Sequence, residues 1–415
     1  MKKLTLLLTL SLILTGCIAP TPQPTPSPAP PTATLAPTAT TAPTPTVTVT
    51  PRERPRILLF IGDGMGAEHR RAGQFAALGE VRKLAMDSLS VSGWLSAESY
   101  GGTAPDSGAS ATAIGTGVLT TIDSVGVDPE GQSLTTILEI AQTQGMSVGL
   151  VSDKFLTDAT PAAFAAHVPE SGMRMEIAEQ YLEHGVDVIL GGGEDDFLPE
   201  DEAGCYPGLG NRTDGRNLVT EAQALGYTTV CDAAGLAALD PETDIKVLGL
   251  FADENMERPY TPSLAEMTEL AIAILERNPN GYFLMVEGAM IDIASHFHES
   301  QNVIDDVVSF DAAVAVGVAA AEGDENTLLL VTADHETGGL VVNYEPTGGV
   351  DEDGPFQMPN GTDFWLTWHS GDHTYAHVPI TAQGEGADAL VGLHENTFVF
   401  EVMLRFMGVE LLINE

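Results

Sequence analysis

Residues 56–66 read RILLFIGDGMG. An unbroken apolar run, Ile57 to Ile61, closes on Gly62, Asp63 and Gly64. A short apolar run stopped by Gly and Asp predicts a strand buried on both faces that ends in a functional loop. Working outward, the same grammar recurs. SLTTILEIAQTQG (133–145) predicts an amphipathic helix stopped by Gly145, and MSVGLVSD (146–153) a strand. EIAEQYLEHG (176–185) and VDVILGGG (186–193) repeat the pair. SLAEMTELAIAILERN (263–278) leads to GYFLMVEGAMID (281–292), and VVSFDAAVAVGVAAAEG (307–323) to NTLLLVTADHETGG (326–339). Strands alternating with helices predict an α/β fold around a mostly parallel sheet. Segments 195–260 and 343–372 break the alternation and are expected as insertions on the rim.

The chain has 415 residues, with 17 basic against 59 acidic side chains and a formal net charge of −42. Such a surface repels nucleic acid and attracts cations, so nucleic acid is excluded as a partner. The hydrophobic fraction of 43% is that of a globular protein, not of an acidic disordered chain.

The N-terminus has its own organisation. Lys2 and Lys3 precede an apolar run from Leu4 to Leu14, too short to span a bilayer and suited to export. It closes in Leu14-Thr15-Gly16-Cys17, which resembles the lipobox of bacterial lipoproteins and implies a lipid anchor on Cys17. Residues 18–54 are dominated by Pro, Thr, Ala and Ser, and predict an extended spacer. The expected order is therefore signal peptide 1–17, linker 18–54 and catalytic domain 55–415. The mature protein is expected to be exported, lipid-anchored and extracytoplasmic. In that compartment Cys205 and Cys231 are expected to form a disulfide.

Chemistry-bearing side chains gather at predicted strand ends. Asp63 follows the first strand, Glu287 follows YFLMV, and Asp334 and His335 follow TLLLVTA. Open α/β sheets bind ligands beyond the carboxyl ends of their strands. Asp292 and His296 are four apart, which on a helix places both on one face. His369, His373 and His377 follow further on, whereas His298 is out of phase with His296. Carboxylates at this density repel one another unless cations neutralise them. Nitrogen and oxygen donors without thiolates suit Zn²⁺, and an all-oxygen site suits Mg²⁺. In APDSGASATAIGTG (104–117), Ser107 follows Asp106 and opens a run of small residues. That run reads either as close helix packing or as room for an anion beside a nucleophile.

Taken in order, GDGMG, PDSGASATA, DATPAA (158–163), EGAMIDIASH, TADHETGG and DHT…VPI resemble the alkaline phosphatase family. The resemblance covers roughly residues 55 to 409. It implies a three-layer α/β sandwich with a central, mostly parallel sheet. It implies Ser107 as a nucleophile that becomes phosphoserine, two Zn²⁺ and one Mg²⁺. One zinc falls to Asp292, His296 and His373, the other to Asp63, Asp334 and His335. The magnesium falls to Asp63, Thr160 and Glu287, with Asp158 close by. Substrates are expected to be small phosphomonoesters, and a homodimer is compatible with the family. One departure stands out. Four residues past His167, where relatives carry a phosphate-binding arginine, this chain has Ser171; Arg174 is the nearest replacement. Either Arg174 reaches in from a shifted turn or the bidentate clamp is missing. A phosphodiesterase on the same scaffold and a non-catalytic phosphate- or metal-binding relative are the alternatives.

Overall fold

A computed structural model describes residues 47–49, 52–243 and 246–411. The signal segment with Cys17, and most of the linker, lie outside the described residues. Among those described, no helix is long and apolar enough to cross a membrane.

The central sheet has the strand order Gly392–Glu395, Val91–Ser96, Val378–Gln383, Thr327–Thr332, Arg56–Gly62, Tyr282–Gly288, Ser147–Phe155, Val188–Gly192, Val247–Leu250, Thr228–Val230. Val378–Gln383 is antiparallel to both neighbours, and the other pairs are parallel. Arg56–Gly62 lies at the middle, between Thr327–Thr332 and Tyr282–Gly288. Its residues from Ile57 onward are buried, as are all of both neighbours. These are the strands whose sequences are apolar without alternation, as burial on both faces requires.

Helices cover both faces. Phe283 packs its ring on Phe164 of the Ala159–Ala165 helix. Gly288, of opposite parity on the same strand, faces Phe310 of the Ser300–Ala321 helix; an added Cβ there would meet that ring at 2.7 Å. Side chains alternate faces along a strand, so the two helices lie on opposite sides. Helices Ala67–Leu78 and Leu264–Leu275 join Ser300–Ala321, while Ser107–Thr116, Ile137–Thr143 and Phe398–Met407 join the other layer. This is the expected α/β sandwich.

The segments expected as rim insertions divide into two kinds. From 195–260, Val247–Leu250 and Thr228–Val230 lengthen the central sheet at one edge. Cys205 and Cys231 close this segment with the expected disulfide. From 343–372, Glu352–Gln357 and Asp363–Thr367 combine with Val341–Asn343 in a separate antiparallel sheet. Phe364 and Trp368 are buried there. Within the described part of the linker, Val47–Val49 pairs antiparallel with Val409–Leu411. Arg52 donates to the Glu325 carbonyl at 2.8 Å, so ordered contacts begin before residue 55. Residues 47–50, alternating Val and Thr, have the β-branched character a strand favours.

Candidate metal centre and active site

The loop after Arg56–Gly62 holds Asp63 at the carboxyl end of the sheet, and the loop after Thr327–Thr332 holds Asp334 and His335. All three are buried. Gly64 has φ +69°, and an added Cβ would lie 2.8 Å from Asp292 Oδ1 and Thr337 Oγ1. Only glycine lets this turn approach the site so closely. Asp334 Oδ1 accepts from the backbone N–H of Gly64 at 3.1 Å and of His335 at 2.9 Å. Its Oδ2 is buried without a hydrogen-bond partner, 3.2 Å from His335 Nε2.

Ser107 is the first residue of the Ser107–Thr116 helix. Asp106 caps it, accepting from the Ala109 N–H at 2.9 Å. Ser107 Oγ lies 3.3 Å from Asp63 Oδ2 and 3.3 Å from His335 Nε2. The small residues after Ser107 serve mainly the packing reading: Ala109, Ala111 and Ala113 are buried, and at Gly115 an added Cβ would meet the Ala163 carbonyl oxygen at 3.3 Å. Close approach of two helices, more than room for an anion, accounts for that half of the stretch.

Asp292 and His296 share the Met290–His296 helix, as their spacing predicts. His296 Nε2 is 3.3 Å from Asp292 Oδ2, and His373 Nε2 is 3.6 Å from Asp292 Oδ1. His296 Nδ1 lies 2.7 Å from the Gly371 carbonyl oxygen, and His373 Nδ1 lies 2.8 Å from that of Pro105. Carbonyls only accept, so both Nδ1 atoms carry protons and neutral rings present Nε2 lone pairs. Those two Nε2 atoms face each other at 3.1 Å. Two acceptors at that distance would be reconciled by a bound cation; without one, a second proton on His296, whose pKa Asp292 raises to about 9, does so. His369 and His377 are exposed, and His298 turns its Nε2 to the Ser370 carbonyl, so of the downstream histidines only His373 joins the site.

A third group comprises Asp63, Asp158 and Glu287, whose carboxylate oxygens converge within 4.8 Å. Glu287 Oε2 accepts from Ser152 Oγ at 2.6 Å. Glu287 Oε1 and Thr160 Oγ1 are buried without partners, the signature of donors awaiting an ion. Burial, followed by repulsion from Asp334, Asp292 and Glu287, pushes the Asp63 carboxyl well above its usual range. Burial and Asp158 do the same to Glu287. Burial also works against the charge on Asp292, but His296, His335 and His373 hold it below its usual value.

Lys154 is a member of this cluster that the sequence reading missed. Its Nζ lies 2.6 Å from Asp158 Oδ2, and the side chain is almost wholly buried. Burial opposes its charge, but Asp158, Asp63 and Glu287 hold the ammonium's pKa above normal.

Ser171 lies in the loop that is linked by hydrogen bonds to Asp106, the neighbour of Ser107. Its backbone N–H donates to the Asp123 carbonyl at 2.8 Å, and the Asp123 N–H donates to Asp106 Oδ2 at 2.5 Å. Arg174 opens the Arg174–Glu183 helix and turns to other partners. Its Nε lies 2.9 Å from Asp196 Oδ2 and 3.3 Å from Thr157 Oγ1, and its guanidinium stacks 3.8 Å from the Phe155 ring. Nη2 is left buried without a partner.

The profile of the family described as Alkaline phosphatase matches residues 55–360. The chain belongs to the alkaline phosphatase family. Alkaline phosphatase 4 of Bacillus subtilis is 36% identical over 305 residues, which cover 69% of this chain and 62% of that protein. Alkaline phosphatase of Escherichia coli K12 is 32% identical over 85% of this chain and 86% of its own length. Streptomycin-6-phosphate phosphatase of Streptomyces griseus is 32% identical, covering 85% and 90%. Among solved structures, alkaline phosphatase from the Antarctic bacterium TAB5 matches with TM-score 0.72 and 27% identity over 86% of this chain and 98% of that one. The Thermus thermophilus enzyme matches with TM-score 0.75 and 25% identity, over 87% of this chain and 92% of that one. These relatives make the chain a phosphatase enzyme of a metal-dependent family. The three clusters of donors fit that requirement.

Proposed function

We propose that the protein hydrolyses phosphomonoesters to inorganic phosphate outside the cytoplasm, through a phosphoserine formed on Ser107. The carrying observation is the position of Ser107 Oγ, 3.3 Å from both Asp63 and His335, beside donor clusters on either hand. Asp292, His296 and His373 would hold one Zn²⁺, and Asp63, Asp334 and His335 the second. Asp63, Thr160 and Glu287 would hold Mg²⁺, with Asp158 shared with Lys154. When bound, such ions supply positive charge that eases deprotonation of a hydroxyl or water and offsets charge on the leaving oxygen.

The chain's own residues do the rest. Ser107 Oγ gives up its proton to solvent and attacks phosphorus, the bond to the alcohol oxygen breaks, and the alcohol leaves after taking a proton from solvent. Water then attacks the phosphoserine, releasing inorganic phosphate and restoring the hydroxyl. The N-terminus of the Ser107–Thr116 helix offers backbone N–H groups and the positive end of its dipole to the phosphoryl oxygens. Asp106 fixes that helix start, and the Pro105 carbonyl orients His373.

With Ser171 at the usual arginine position and Arg174 paired to Asp196, we take the bidentate phosphate clamp to be absent. That one observation favours a second reading, phosphodiester hydrolysis at the same site, because without the clamp a monoester's extra negative charge gains less from the site. Turnover of p-nitrophenyl phosphate against bis-p-nitrophenyl phosphate on one metal-loaded sample separates them. Faster monoester turnover supports the first reading, and faster diester turnover the second. Export and a lipid on Cys17 complete the proposal, with the linker as tether.

A further inference from the structure

Sharing no residue with the clusters around Ser107, Glu139, His167 and His184 each bring one ligand atom within 4.8 Å of the others. They come from three pieces of chain. Glu139 is the third residue of the Ile137–Thr143 helix, His167 follows the Ala159–Ala165 helix, and His184 caps the C-terminus of the Arg174–Glu183 helix.

Hydrogen bonds settle the ring tautomers. His167 Nδ1 lies 2.8 Å from the Gly126 carbonyl oxygen, and His184 Nδ1 lies 2.9 Å from that of Ala165. Both Nδ1 atoms therefore carry protons, and in neutral rings both Nε2 atoms carry lone pairs. This is the arrangement by which backbone carbonyls orient metal-binding imidazoles. His167 Nε2 then sits 3.1 Å from Glu139 Oε1, acceptor against acceptor. The other carboxylate oxygen is already held by the Thr136 N–H at 2.8 Å. His184 Nε2 makes no hydrogen bond with the described residues.

Two species relieve the conflict. A second proton on His167 would give an imidazolium–carboxylate pair: burial works against that charge, but the contacts with Glu139 and the Gly126 carbonyl raise the His167 pKa on balance. That solution leaves His184 Nε2 without a partner among the described residues. A divalent cation satisfies all three side chains together. We propose that Glu139, His167 and His184 form a divalent-cation site separate from the catalytic centre, of the zinc class, with water completing its coordination. Two imidazole nitrogens and one carboxylate make a zinc donor set and lack the oxygens that Mg²⁺ or Ca²⁺ demand. Its effect is structural. The ion ties the end of the Ala159–Ala165 helix, which carries Thr160, to the helices on either side. The formal charge of −42 favours cation capture at such a site. The proposal does not depend on the assignment of the reaction.

The test counts zinc per full-length chain by mass spectrometry after loading and dialysis, in wild type, His184→Gln and Glu139→Gln. Glutamine at 139 keeps an oxygen for the Thr136 N–H while removing the charge. Both variants should carry one zinc fewer than wild type with unchanged phosphatase activity. Equal zinc counts in all three would overturn the site and leave a proton-bridged His167–Glu139 pair. Wild-type crystals grown with zinc decide independently of variant folding. An anomalous peak at the zinc edge among the three side chains supports the site, and its absence overturns it.

Discussion

His296 and His373 face each other through Nε2 at 3.1 Å while each Nδ1 is held by a backbone carbonyl. In neutral rings the two lone pairs would point to one position next to Asp292, where the proposed cation would replace the second proton of His296. Replacing His373 by Ala should remove one zinc per chain. It should lower kcat by about a hundredfold to a thousandfold, because several kcal/mol of charge stabilisation go with the ion. Metal counting and steady-state kinetics on one preparation check this. Full zinc content in the variant would refute it.

Stability should fall more steeply with rising pH in the metal-free protein than in the loaded one. In the metal-free chain, Asp63 and Glu287 have raised pKa values, so they are protonated more readily folded than unfolded. Their contribution is full below the unfolded carboxylate range and declines as pH rises through their folded values. His296, raised to about 9 by its hydrogen bond with Asp292, likewise loses its contribution between its normal value and about 9. His69 and His335, both lowered by burial, stabilise as pH rises, but only up to the ordinary histidine pKa near 6.5. Above pH 6.5 the metal-free protein should therefore lose thermal stability steadily. Metal addition should restore it, with a gap in Tm that widens toward pH 9. Melting curves of chelated and loaded samples read this directly, and a constant gap would contradict it.

Ser171 stands one hydrogen-bonded residue away from Asp106, immediately before Ser107. Ser171→Arg should supply the missing fork. Charge-assisted hydrogen bonds contribute about 1.5–3 kcal/mol each. Inhibition by inorganic phosphate should then tighten about tenfold or more, and the preference for monoester over diester should rise. Unchanged phosphate inhibition would show that position 171 does not reach the anion.

Arg174 is held by Asp196, Thr157 and the Phe155 ring. Arg174→Ala should leave Asp196 buried and unpaired, destabilising the fold by about 1–3 kcal/mol after discounting for the arginine's partial exposure. It should change kcat/KM for a monoester by less than about threefold. Urea unfolding and kinetics separate the two effects, and a large loss of kcat/KM with normal stability would place Arg174 in the site.

The sequence disclosed most where burial is two-sided. Ile57–Ile61 and Leu328–Val331 are apolar throughout because helices cover both faces, so their periodicity cannot be mistaken for a surface strand. Val91–Ser96 escaped notice because its hydropathy does not follow its burial: Gly93 is buried and Trp94 exposed. Thr228–Val230 and Val247–Leu250 are too short for a pattern to emerge. Within the site, Asp63, Asp334 and His335 could be read because strand ends fix where they point. Lys154 could not, since its role arises from convergence with Asp63 and Glu287, which lie far away in the chain. Nor do the Pro105 and Gly371 carbonyls have any signature, because every residue carries one.

The most direct test of the whole account is acid quenching of metal-loaded enzyme during turnover of a phosphomonoester, followed by peptide mass spectrometry. A phosphoryl group on Ser107, absent in Ser107→Ala together with nearly all turnover, is the predicted result. Rapid turnover with no phosphate on Ser107, or with phosphate on another residue, would contradict it.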